Sequence, residues 1–515
     1  MYLALKVTFC VQVYGAIWLR RYFPVNFLLT IFFTSLGIAV MGYHPGLEDD
    51  GVYLTAIKRN LNPALYPHDA KFFQLQLQAT FFDKWIAWFV RFTGISVATT
   101  EFLFQFASIA LIVFACWAIA RRLFPEGRVQ WAGAAMVSAM LTLPVAGTAL
   151  YLVDQHLHPR TLATGFILLA VERILARRKW QAVSFLLLAF LMHPIMAALG
   201  ISFCFILSLT MMEQTPARLK SRPMPAHASM AIAFVPLGWV FEPATPVWQE
   251  AVNMHTSLCL YRWTWYEWLG AWAPLVLFWL LLRFARERGE TLLARFALAV
   301  FFYGAFQLAV AVIIATIPAL NRLAPLSPMR FLHLVYFFMA LMGGCLLGKY
   351  LVKASVWRWA IFLATINGGM FLAQRMEFRS SVHLELPGRT SDNPWLEAFA
   401  WIRQNTPADA YFALDPEYLA APEEDYHSFR ALAERSQLAD NIKDAAVVTQ
   451  VPELGKEWKQ QVTAQKGWTH FQLADFERLK AEFGVDWVLI SYPQPAGLNC
   501  EWHNGLLSVC QLPKE

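Results

Sequence analysis

The sequence predicts an all-α polytopic membrane bundle of about ten to eleven transmembrane helices, followed by an extracytoplasmic α/β domain. Three observations predict this. The 515 residues are 57% hydrophobic and only 15% charged, where soluble domains average about 25% charge. Apolar runs long enough to cross ~30 Å of hydrocarbon recur through the first three quarters. Basic clusters separate those runs, as orientation by the positive-inside rule requires.

The runs are Val25–Met41, Phe102–Ala120, Trp131–Val153, Thr161–Leu175, Gln181–Leu209, Ala228–Phe241, Leu269–Leu282, Phe296–Ile317, Met329–Leu347 and Trp359–Ala373. Before them, Met1–Leu19 carries Lys6 and Gln12 and reads as an interfacial helix. Val25–Met41 follows Arg20-Arg21 and reads as an uncleaved signal-anchor, since no small-residue cleavage site follows it. Placing Arg121-Arg122, Arg177 to Lys179, Arg218/Lys220/Arg222, Arg283/Arg286/Arg288 and Lys349/Lys353/Arg358 on one side forces Gln181–Leu209 to cross twice or not at all. His193-Pro194 near its middle breaks a helix, so two short helices meeting there are expected. One kinked helix is the alternative, and it would invert everything downstream. The +6 net charge lies in these clusters and implies no nucleic-acid partner.

After Arg375 the composition becomes that of a soluble domain, dividing the chain into 1–376 and 377–515. Asn393-Pro394 reads as an N-cap with proline in the first turn. Trp395, Phe399 and Ile402 then recur at helical spacing. Tyr411–Leu414 and Trp487–Ser491 read as strands, with a helix over Leu473–Phe483. Of the seven cysteines, Cys500 and Cys510 flank Asn504-Gly505, a hairpin signal. A three-residue loop would set them opposite each other, and a disulfide there would fit an oxidising compartment. Cys10, Cys116, Cys204 and Cys345 lie in apolar runs and read as packing residues.

Four segments share the outer side on this map: residues 43–100, 154–160, 242–268 and 318–330. The first opens with Gly42-Tyr-His-Pro-Gly-Leu-Glu-Asp-Asp-Gly-Val-Tyr53 and continues to Leu65-Tyr-Pro-His-Asp69; its second half, Lys71 to Thr93, reads as one amphipathic surface helix. Asp49 and Asp50 are adjacent and point apart, so one can serve as a general base while the other orients it or holds a cation. The alternative is an acidic helix N-terminus. His68-Asp69 is either part of a binding loop or a hydrogen-bonded turn pair. The turn Asp154-Gln-His-Leu-His-Pro-Arg160 sets Asp154, His156, His158 and Arg160 at the junction of two spans, where ionisable groups are costly. His156 and His158 could hold a divalent cation with the acids, or the turn could cap two helix ends. His193 is a ligand-facing imidazole or a kink that satisfies freed backbone. Arg330 suits a phosphate through its bidentate fork, with snorkelling as the plain alternative and Arg322 and Arg262 as rivals. The aromatic run Trp263–Trp268 reads as an interfacial belt ahead of a sugar platform.

The pair in Asp49-Asp50-Gly-Val-Tyr53 resembles the Asp-Glu-x-x-Tyr-like element of GT-C membrane glycosyltransferases. Trp395-Leu-Glu-Ala-Phe-Ala-Trp-Ile-Arg-Gln-Asn-Thr-Pro407 and Phe483-Gly-Val-Asp-Trp-Val-Leu-Ile490 are similar to segments of their C-terminal domains. The resemblance implies a multi-pass enzyme of the cytoplasmic membrane. It would take a sugar from a polyprenyl-phosphate-type carrier to a lipid, glycan or protein hydroxyl at the outer face. It implies Asp49 as the catalytic acid and Arg330 as a carrier-phosphate contact; a Mg or Mn ion held by the acids and imidazoles is one alternative for a cofactor, and otherwise none is expected. Asp50 stands where many members have Glu, and the WWDYG signature of oligosaccharyltransferases is absent, so oligosaccharide transfer to asparagine is not expected. The rival readings are a transporter or lipid-binding protein, and a non-catalytic envelope scaffold. The chain shows neither internal repeats nor polar groups at mid-membrane, which transporters often carry.

Overall fold

The structure is a computed structural model; it describes residues 25–212, 244–389, 391–421 and 424–513. Expectations for Met1–Leu19, Arg20-Arg21, Arg218/Lys220/Arg222 and Ala228–Phe241, and for Cys10, lie outside these residues. The chain is mainly helical. Among the described residues, six helices are long and apolar enough to cross a membrane: Val97–Leu123 (α5), Pro194–Met212 (α9), Trp265–Glu287 (α11), Thr291–Thr316 (α12), the stretch Pro328–Val352 that contains Phe331–Leu347 (α13), and Val356–Glu377 (α14). These mark a multi-pass membrane protein. Val25–Met41 (α1) and Lys179–Met192 (α8) are shorter apolar helices.

The expectation of ten to eleven full spans exceeds the six found among the described residues; one expected run, Ala228–Phe241, lies outside them, and early helix stops account for others. Trp131–Val153 does not form one span: the helix covers Gly127–Ala139 (α6), then Pro144 and positive-φ Gly147 turn the chain into a two-stranded ribbon, Pro144–Val145 (β1) with Leu150–Tyr151 (β2). A side chain on Gly147 would also run into the Trp263 ring. The helix Pro159–Leu175 (α7) has 17 residues and is capped by His158. Lys71–Thr93 is likewise not one helix. It breaks into Lys71–Gln74 (α3), a 3₁₀ turn at Gln76–Ala79, extended Thr80, and Phe82–Thr93 (α4). Of these, α4 keeps the amphipathic character, burying Phe82, Ile86 and Ala87 while Trp88 and Phe92 stay exposed.

His193 breaks the apolar run as proline chemistry requires, and α8 and α9 both pack along α7. Basic clusters collect at one end of the bundle. Arg122 Nε bonds Glu172 at 2.8 Å, Lys349 reaches Glu290 at 2.6 Å and lies 5.6 Å from the Phe124 ring, and Arg288 bonds the Tyr350 hydroxyl at 2.9 Å. At the other end α7 starts at His158, α9 starts after His193, and α13 starts after Arg330.

The C-terminal part builds a mixed five-stranded sheet in the order β4-β3-β5-β7-β6, from Tyr411–Ala413 (β3), Ser436–Gln437 (β4), Trp487–Ser491 (β5), Asn499–His503 (β6) and Leu507–Gln511 (β7). Alternate strand residues face opposite layers. Phe412, Trp487, Leu489 and Val509 pack with Pro394–Asn405 (α15) and Phe429–Ala433 (α16). Val488, Ile490 and Cys510 pack with Leu473–Phe483 (α19). The Asn393 side chain caps α15, accepting from the amides of Trp395 and Leu396. Two further helices, Lys443–Gln450 (α17) and Gly455–Ala464 (α18), pack instead against Pro246–Met254 (α10) and join the apolar core of the helical bundle. Cys500 and Cys510 form a disulfide. The hairpin pairs His503 with Ser508, and a bulge between Cys500 and Trp502 absorbs one residue, bringing the cysteines opposite each other.

Candidate functional site

Residues 43–48 leave α1 and are stitched to the C-terminal part by backbone bonds. Tyr43 bridges Leu384, Leu47 bridges His427, and Ser428 N donates to Gly46 O at 2.7 Å. Asp50, buried, accepts from Gly46 N at 2.8 Å and closes the turn. Glu48, at φ +41°, sits in the left-handed region that L residues avoid, and the chain turns there to aim Asp49 the other way. The adjacent acids therefore take different roles: Asp50 fastens the loop and Asp49 faces a cavity. The alternative of an acidic helix start is also met in part, since Glu48, Asp49 and Asp50 form a 3₁₀ turn that leads into the helix Tyr53–Leu61.

That cavity is about 330 Å³ and is lined by Asp49, Arg330, Lys443, His255, Tyr426 and Ser327 among others. Lys443 Nζ lies 3.2 Å from Asp49 Oδ1 and 3.3 Å from Glu48 Oε2. Behind Asp49 stands His158, whose Nε2 is 3.3 Å from Asp49 Oδ2. His158 Nδ1 accepts the Arg160 amide proton at 2.9 Å, so in the neutral ring the proton sits on Nε2 and is donated to Asp49. Arg160 Nη2 holds Asp154 Oδ1 at 2.5 Å. His193 stacks on His158 with centroids 6.2 Å apart and accepts the Met196 amide through Nδ1 at 3.4 Å, the backbone-satisfying role expected of a kink histidine. His156 lies 5.9 Å from His158, ring to ring, and both its nitrogens are buried without a hydrogen-bond partner.

The charges follow from this packing. Burial opposes ionisation of Asp49, yet Lys443, His158 and Arg160 outweigh it and hold the carboxyl well below its usual range. Asp154 is held down in the same way by Arg160 against its burial. Burial pushes His156 down to about 3 and His255 down to about 4, so both rings are neutral at physiological pH. His158 is lowered too, by burial and then by Arg160.

Of the ten residues singled out by sequence, Asp49 and Arg330 line the cavity. Asp154, His156, His158, Arg160 and His193 form a buried layer around His158, which touches Asp49. Asp50, His68 and Asp69 do not join them. His68 stacks on Tyr411 at 4.5 Å, and the expected turn pair with Asp69 is absent. Asp69 instead bonds Arg430 Nε at 2.5 Å and Gln437 N at 3.0 Å, a buried anchor for the loop. Arg322 lies over the Trp248 ring at 4.9 Å and Arg262 bonds Asn253 O, leaving Arg330 as the arginine on the cavity wall. Within the aromatic run, Trp265 and Tyr266 are exposed while Trp263 is buried.

Sequence reasoning missed Lys443, His255 and Tyr426. Lys443 is flanked by Asp440 and Asp444, which reads as an ordinary solvated helix start. Missed as well was the cluster of His44, Glu385 and His427, whose ligand atoms all lie within 4.8 Å of one another. It gives the described residues one arrangement able to hold a metal ion.

The model of a domain of unknown function, DUF6798, matches residues 393–464, the segment that carries His427, Arg430 and Lys443. No curated protein matches the sequence. Among solved structures, the chain is similar to the Archaeoglobus fulgidus oligosaccharyltransferase, crystallised with zinc and sulfate. The two are 11% identical with a TM-score of 0.42, over 90% of this chain and 68% of that one.

Proposed function

We propose that the chain is a membrane glycosyltransferase that moves a sugar from a polyprenyl-phosphate-type carrier to an acceptor hydroxyl at the outer face of a cytoplasmic membrane. The observation that carries this reading is the juxtaposition of a carboxylate, Asp49, with two cations, Arg330 and Lys443, on one cavity wall. The resemblance of the Asp49–Tyr53 element to GT-C enzymes supplies the reaction class. Residues 1–376 would form the membrane domain and 377–515 the extracytoplasmic domain, with Lys443 reaching back to complete the site.

In this mechanism Asp49 takes the proton from the acceptor hydroxyl as its oxygen attacks the anomeric carbon. The carbon–oxygen bond to the carrier breaks, and the phosphate leaves with the electron pair. Arg330 presents its planar fork to that phosphate, and Lys443 adds a mobile point charge. His158, its tautomer fixed by the Arg160 amide, orients the Asp49 carboxylate. Asp154 Oδ2 and both His156 nitrogens are buried without partners and would be the donors to a divalent cation in this layer, although among the described residues only His44, Glu385 and His427 bring three donor atoms within ligating reach of one another. When bound it would supply Lewis-acid stabilisation of phosphate, and imidazole donors suit Mn better than Mg.

The test is transfer by the full chain in nanodiscs, using radiolabelled sugars on polyprenyl phosphate and diphosphate. Release of unglycosylated carrier with label on an acceptor supports the proposal, and Arg330→Met should raise KM for the donor about tenfold or more. Carrier movement across the bilayer with the sugar bond intact would replace it with the transporter reading.

A further inference from the structure

We propose that His44, Glu385 and His427 form a structural zinc site that clamps the first loop, the segment after α14 and the C-terminal part together. This goes beyond the transferase reading and uses none of its cavity-lining residues. The three residues come from widely separated parts of the chain. His44 Nδ1 lies 2.9 Å from Glu385 Oε1, and His427 Nε2 lies 3.2 Å from Oε2, so one carboxylate faces two imidazole nitrogens. Both rings are fully buried.

The surroundings resemble the supporting shell of a metal more than a chance ion pair. Glu424 Oε1 lies 3.3 Å from His427 Nδ1 and accepts the His427 amide at 2.6 Å, which aims Nε2 at Glu385. A carboxylate behind a ligating imidazole is the usual way such a ring is oriented. Phe378 stacks on His44 at 4.3 Å and fixes the second ring. Glu424 Oε2 is buried with no partner, as is His44 Nε2, so hydrogen bonding alone leaves the cluster unsatisfied. Two nitrogens and a carboxylate suit zinc, whereas Mg and Ca prefer all-oxygen sets.

The experiment measures zinc by mass spectrometry on the purified full chain after zinc loading and a brief chelator wash. Cobalt substitution of the wild type is followed by visible absorption. One zinc per chain is expected, falling about tenfold or more in Glu385→Gln and His427→Ala and persisting in His156→Ala. Cobalt bands in the wild type keep the test independent of variants that fail to fold. Wild type without zinc or cobalt bands overturns the proposal. So does zinc that is lost from His156→Ala but kept in His427→Ala, which would move the ion to the Asp49 layer. Neither result bears on whether sugar is transferred.

Discussion

Asp49 Oδ1 faces an ammonium and Oδ2 an imidazole N–H, so the carboxylate stays charged and keeps a defined orientation at the cavity edge. Removing Lys443 withdraws the strongest of the influences that lower the Asp49 pKa. In Lys443→Met the Asp49 pKa should therefore rise. The reaction needs the carboxylate, so the acid limb of the pH–rate profile should move to higher pH, with a rate loss of roughly tenfold or more at neutral pH. An unmoved acid limb would separate Lys443 from Asp49. At this scale the sequence was informative wherever a charge had no packing reason to be there. Asp49, Asp154, His158 and Arg330 stood out because ionised groups at a membrane edge are costly. Asp69 stood out for the same reason but for a different job. Its partner Arg430 lies 361 residues away, and no local pattern reveals such a pair. Lys443 was hidden by its acidic neighbours.

Several elements depend on a single contact. Arg430 bonds both oxygens of Asp444 at 2.8 Å as well as Asp69, all buried, tying the first loop to α17. Arg430→Ala leaves two buried carboxylates uncompensated and should cost about 3–5 kcal/mol, read as a lowered Tm in detergent. Asp69→Asn should lower the Tm as well while leaving the donor KM of the folded enzyme unchanged, because Asp69 is an anchor and not a binding residue. In the β6–β7 hairpin, losing the Cys500–Cys510 bond opens a short loop, and Cys510→Ser should cost about 2–3 kcal/mol. Hairpin, N-cap and the α19 and β5 boundaries were legible because turn and capping chemistry is local. The bulge that sets the cysteine register was not, since it depends on the partner strand. The end of α6 was also misread: apolar content continues past Ala139, but Pro144 and Gly147 turn the backbone.

Among the described residues, the basic clusters and the Asp49 layer occupy opposite ends of the helical bundle, and the break at His193 lets α8 and α9 both run along α7. The apolar runs and their basic punctuation made this plan readable. The length of each helix was less so, because hydropathy marks burial in lipid or protein alike. If the Asp49 end faces outward, Leu326→Cys, exposed beside that end, should react with an impermeant maleimide added outside intact cells. Among the described residues the free cysteines Cys116, Cys204, Cys259 and Cys345 are buried and should stay silent, and Cys10 is replaced by serine for this measurement. Labelling only after permeabilisation would invert the bundle.

The central claim is that the Asp49 carboxylate performs the proton transfer, and single-turnover transfer by Asp49→Asn with a matched lipid-linked sugar addresses it most directly. The account predicts a rate at least about a hundredfold below wild type with the Tm within a few degrees. Wild-type turnover in a folded Asp49→Asn protein would contradict it.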